Sequence, residues 1–149
     1  MFFLYQMGSI SEHKKRIKEH LDEINDALDY GLEKKPITIA FHSSACAIEF
    51  MEWYLHKKNL ISSGKTIKHN WFERPKPEQK IIPLIERKLP VHFPKKEEIY
   101  ELVYNIESLR DNLIYGKSTK EQVEFVLINF QKLKDLILNE LKEEGDDLE

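Results

Sequence analysis

Cysteine is almost missing from this chain. A single one, Cys46, stands in 149 residues, so an internal disulfide is excluded and no cysteine pair exists for a zinc ribbon or finger. Glycine is scarce, with five residues, which disfavours turn-rich all-β architectures and suits helices. No apolar run approaches the roughly 20 residues needed to cross a bilayer, so no membrane span is expected, and the cytoplasm is the expected compartment. The opening Met1-Phe2-Phe3-Leu4-Tyr5-Gln6-Met7 is apolar, but it lacks a basic flank and is too short for a secretory leader. Residues 1–8 are therefore an extension that packs on the body or on a neighbouring subunit, unless translation starts at Met7. What is abundant is charge, 33 % of residues beside 41 % hydrophobic ones. That balance is enough to build one core, and residues 1–149 read as one domain.

The net charge of −3 conceals an uneven distribution. Residues 57–96 hold 11 Lys or Arg against 3 Asp or Glu, locally +8, between two acidic flanks. Such a segment either meets a phosphate backbone or complements the acidic helices beside it.

Apolar periodicity gives the elements. Ser9-Ile10-Ser11-Glu12 offers a capping box, followed by Ile17, Leu21, Ile24, Leu28 and Leu32 at helical spacing up to Gly31. Pro36 suits the first turn of a second helix, whose stripe is Ala40, Phe41, Ser44, Ala45, Ile48, Met51 and Leu55. All six prolines of the chain except Pro36 fall between residues 75 and 94. Together with Gly64 they predict short pieces over Thr66–Phe72 and Glu78–Lys88. A fourth helix starts at Pro94, carries Ile99, Leu102, Val103, Ile106, Leu109 and Leu113 on one face, and stops at Gly116. Ser118-Thr119-Lys120-Glu121 caps the last helix, with Val123, Val126, Leu127, Phe130, Leu133, Ile137 and Leu141 inward. Residues 143–149 read as a frayed acidic tail. The expected fold is all-α, an antiparallel bundle of four to five helices with an irregular, proline-rich basic insertion between the second and fourth.

Several constellations invite chemistry. Ser63-Gly64-Lys65-Thr66 looks like the end of a phosphate loop, but that motif needs glycine where Asn59 stands and a preceding strand. His42, Cys46 and Glu49 share a helical face and offer three ligand types. Cys46 is most simply a small buried residue, and neither metal nor cofactor is expected. Lys68-His69-Asn70-Trp71-Phe72-Glu73-Arg74 interleaves bases with aromatics, as single-stranded nucleic-acid sites do. With Lys65 and Lys76 it forms a candidate nucleic-acid-binding set of Lys65, Lys68, His69, Trp71, Arg74 and Lys76. Anchoring of the loop by Trp71 and Phe72 accounts for the same aromatics.

Arg110 is the most informative position. At 100° per residue it falls about 20° from Ile99, inside the apolar stripe. Unpaired guanidinium is expensive to bury, so Arg110 either meets a carboxylate such as Glu49 or Glu52, or borders a cleft that takes an anion.

Arg110-Asp111-Asn112-Leu113-Ile114-Tyr115 resembles the signature of HEPN domains, an arginine and a polar residue followed by histidine four to six positions on. The helix from Ala40 to His56 and the basic Lys68-His69 are similar to elements of that family. The resemblance implies a helical homodimer with facing motifs, acting as a metal-independent ribonuclease or as the partner of a small nucleotidyltransferase in toxin–antitoxin pairs. It would make Arg110 the phosphate holder, Asp111 an orienting group and Tyr115 the occupant of the histidine position. A phenol with a pKa near 10 is a poor general base at neutral pH, where an imidazole near 6.5 serves. Binding of RNA or a nucleotide around Arg110, or docking of a nucleotidyltransferase, with weak or absent cleavage, is thus the leading expectation. An active ribonuclease using Tyr115 or a remote histidine such as His69 or His92, and a purely structural bundle, are the alternatives.

Overall fold

Ile17, Ile24 and Ala27 recur on one face of a long first helix and are buried, while the Lys, Glu and Asp residues between them are mostly exposed. The computed structural model describes residues 2–62 and 64–149, with side chains described for residues 10–62 and 64–149. Helix α1 runs Phe2–Tyr30. It therefore starts well before Ser9, and the Ser9–Glu12 pattern lies inside the helix, not at its cap. The side chains of residues 1–9 lie outside the described residues, as does the Ser63 at the head of the Gly-Lys-Thr turn. Gly31 ends α1 at φ +125°, a conformation that strains other residues, with its N–H bonded to Leu28 O at 3.0 Å.

Helix α2, Pro36–Lys57, begins with proline at its first turn as expected. It is buried on nearly every side from Ile39 to His56, which makes it the central element. It packs against α1, against α4 (Lys96–Ser108), α5 (Arg110–Tyr115) and α6 (Lys120–Glu143). Phe50 stacks on Trp53 and meets Phe130 of α6, with ring centroids 6.3 and 6.4 Å apart. Truncating Phe50 or Phe130 to alanine removes a fully buried ring, a loss of about 3–5 kcal/mol. No strand occurs among the described residues, so the fold is an all-α bundle.

The insertion between α2 and α4 contains a 3₁₀ turn, His69–Phe72, and one short helix, α3, Leu84–Lys88. Residues 78–83 are not helical. Pro83 sits immediately before α3, where its missing N–H is harmless, whereas inside a helix over 78–88 it would remove a bond. An edge-to-face chain of rings, Tyr54–Phe93–Tyr100–Phe72–Tyr104, holds the insertion on α2 and α4.

Two further departures follow from local chemistry. The predicted fourth helix is split, because the helix turns at Leu109 (φ −106°, ψ −2°) and α5 begins anew at Arg110. The cap of α6 is shifted one residue from the predicted box. Thr119 Oγ1 accepts from the Gln122 N–H, and Gln122 Oε1 accepts from the Thr119 N–H. The acidic tail, expected to fray, is tied back by Asp146. Its carboxylate accepts from Lys14 at 2.7 Å and from the indole N–H of buried Trp53 at 3.0 Å.

Candidate functional site

The break at Leu109 changes what Arg110 does. A continuous helix would have placed it within the apolar stripe. As the first residue of α5 its side chain is instead 26 % exposed and borders a cleft of about 480 Å³. The carboxylates proposed as its partners are engaged elsewhere: Glu49 bonds His13 and Arg16, and Glu52 accepts from the Ile67 N–H. The only acidic group within 4 Å of Arg110 among the described residues is Asp111, at 3.4 Å and 86 % exposed. The buried Nε of Arg110 has no hydrogen-bond partner among the described residues. A buried, unmet donor on a cation is an energetic liability of about 1–3 kcal/mol or more unless a ligand answers it.

His69 reaches the same cleft from the 3₁₀ turn. Its Nδ1 lies 2.9 Å from Oε1 of Glu107, whose side chain is nearly buried, and 3.0 Å from Ser44 Oγ. The Ser44 hydroxyl donates to that same Glu107 oxygen at 2.6 Å. A carboxylate acceptor assigns the imidazole proton to Nδ1. In the neutral ring this leaves Nε2 as a lone-pair acceptor on a side chain that lines the cleft. Glu107 comes from α4, Ser44 from α2 and His69 from the insertion, so three elements fix one imidazole.

Phe72 and Tyr104 form an aromatic part of the wall. Arg74 lies over the Tyr104 ring, 4.6 Å from its centroid, and its two guanidinium nitrogens bind Glu101 at 3.0 and 2.9 Å. That paired geometry, with a further bond to Asn105 at 2.9 Å, uses up most of its donors. Arg110 is therefore the cleft guanidinium with donors to spare.

Of the sequence-predicted residues, the cleft brings together Arg110, Asp111, His69 and Arg74. Tyr115 is 81 % exposed and does not line it. Trp71 is buried in the core at 7 % exposure, so it anchors the insertion and offers no face for stacking a base. Lys65, Lys68 and Lys76 are exposed outside the cleft lining. Part of the basic segment does complement acidic helices, through Lys58–Glu144, Arg74–Glu101 and His69–Glu107. Sequence reasoning did not single out Glu107, Ser44 or Tyr104. Glu107 precedes Arg110 by three positions, a helical-neighbour signal, whereas Ser44 becomes visible only once α2 is packed.

The helical stripe His42, Cys46, Glu49 does not converge on a ligand site. Cys46 is buried beside Ile17 O at 3.9 Å, and burial drives its thiol far up from its ordinary value. His42 faces His20 with Nδ1 atoms 2.9 Å apart, and Glu49 turns to His13 and Arg16.

The chain matches no family model, no curated protein and no solved structure, so its chemistry is read from its own geometry.

Proposed function

We propose that the cleft at Arg110 binds a phosphate of single-stranded RNA or of a nucleotide, in a HEPN-like helical protein with little or no cleavage activity. The observation that carries this reading is the guanidinium of Arg110, cleft-lining, with a buried Nε–H unanswered by any described residue. Guanidinium matches phosphate oxygens through its forked donors. Phe72 and Tyr104 supply an aromatic wall beside it, and exposed Lys68 and Lys76 extend positive charge along the insertion.

A second reading, cleavage, is favoured by one arrangement. His69 is oriented by Glu107 and lines the cleft that Arg110 lines, which places an imidazole where Tyr115 fails to place a phenol. Its Nε2 is the atom that would meet a substrate hydroxyl as general base.

One titration separates these readings. Labelled single-stranded RNA is mixed with wild type, Arg110→Ala and His69→Ala, and binding and cleavage are scored together. Binding that requires Arg110 without product formation is the expected result. Product that requires both residues promotes the enzyme, and equal behaviour of wild type and Arg110→Ala overturns the site.

A further inference from the structure

A second polar cluster lies between α1 and α2, away from the cleft. His13 Nδ1 is 2.6 Å from Glu49 Oε2 and 3.9 Å from Glu52 Oε1. One ligand atom from each of these residues falls within 4.8 Å of the other two. We infer that His13, Glu49 and Glu52 form a binding site for a divalent first-row metal ion of the zinc class.

The carboxylates are arranged as ligands of such an ion are. Each is held by one oxygen and presents the other. Arg16 Nε donates to Glu49 Oε1 at 2.7 Å, leaving Oε2 towards His13. The backbone N–H of Ile67 donates to Glu52 Oε2 at 2.8 Å, leaving Oε1 on the His13 side at a separation too long for a hydrogen bond. Outer bonds of this type orient carboxylate ligands. Zinc-class ions take one imidazole with carboxylates, and three protein ligands leave a position open.

An independent sign of an unmet partner comes from Glu52. It is 5 % exposed, and its Oε1 makes no hydrogen bond to a described residue. His13 stacks on His56 with ring centroids 5.1 Å apart, which fixes its ring against α2. Buried Glu52 and partly exposed Glu49 face one fixed cation, Arg16, which also reaches His13 Nδ1 at 3.3 Å, so the cluster has room for a second positive charge. Metal binding widens the 2.6 Å contact of His13 and Glu49 to the spacing of two ligands about 2.0–2.2 Å from one ion.

The test uses the full chain freed of metal by chelation and titrated with Co²⁺, then with Zn²⁺. One Co²⁺ per chain with a visible d–d band, displaced by Zn²⁺, is expected. His13→Asn and Glu52→Gln each weaken Co²⁺ binding by roughly tenfold or more, while His20→Asn leaves it intact. Absence of uptake by wild type overturns the inference, as does uptake that survives both substitutions or that vanishes in His20→Asn. Should His13→Asn fail to fold by circular dichroism, Glu49→Gln read by the same band takes its place, and an unchanged band there is equally contrary.

Discussion

His69 and Arg110 line one cleft, although they belong to the insertion and to the start of α5. In the signature that Arg110–Tyr115 resembles, the imidazole stands four to six positions after the arginine. Here that stretch ends in exposed Tyr115, and the imidazole arrives from across the fold, fixed by Glu107 at 2.9 Å.

Glu107 is the positioning residue of this arrangement. Glu107→Ala removes the acceptor of both Ser44 Oγ and His69 Nδ1 and leaves the buried serine hydroxyl and the imidazole only each other, at 3.0 Å. A destabilisation of about 1–3 kcal/mol is expected in urea unfolding. Glu107→Gln keeps an acceptor oxygen and recovers most of that loss. Equal losses in the two variants would contradict the role given to the carboxyl oxygen.

Asp146 ties the acidic tail to the core. Asp146→Ala leaves the indole N–H of fully buried Trp53 without its acceptor, and about 1–3 kcal/mol of stability is lost. Burial alone would raise the Asp146 carboxyl. The hydrogen bonds from Lys14 and Trp53 outweigh it and hold the group below its ordinary 3.8. A depressed folded-state pKa contributes stability above the unfolded value, and that stability disappears as pH falls through the folded one. The gap in melting temperature between wild type and Asp146→Ala therefore closes on acidification below about pH 3.8. A constant gap would show that charge has no part in it.

Glu52 carries the opposite sign. Its carboxyl is raised from 4.5, so its contribution is fully present below that value and is lost as pH rises through the raised one. In metal-free protein Glu52→Gln is then the more stable chain at neutral pH, by roughly a few degrees, and loses this advantage as pH falls to about 4.5. Melting curves at several pH values, taken in chelator, check it. A variant less stable than wild type at neutral pH would show that ionised Glu52 is well compensated without metal.

Much of the scaffold was legible because it rests on periodicity. The predicted stripe of α6 maps directly onto a buried face and that of α1 onto a buried and partly buried one, and proline does start α2; the α2 stripe does not, because Phe41 is exposed and the helix is buried on nearly every other side. The turn at Leu109 was not legible, since nothing in Glu107-Ser108-Leu109-Arg110 is a helix breaker, and packing decides it. That one turn takes Arg110 from a predicted core stripe to a cleft. The candidate site was half legible: Arg110 stood out as a charge in an apolar pattern, whereas Ser44 and Glu107 matter only through distances that sequence spacing does not encode. The same holds for His13 with Glu49 and Glu52, which sit on different helices.

The proposed phosphate site turns on the unanswered Nε–H of Arg110, and an NMR experiment reads that group itself. The chain has four arginines, Arg16, Arg74, Arg87 and Arg110, so their Nε–H signals form a short, assignable set in a proton–nitrogen NMR spectrum, with Arg110→Ala identifying its own. Titration with a short single-stranded RNA is predicted to shift the Arg110 signal first, and added salt to reverse the shift. Movement of the Arg74 or Arg87 signal with Arg110 unmoved, or no movement at all, would contradict the phosphate site.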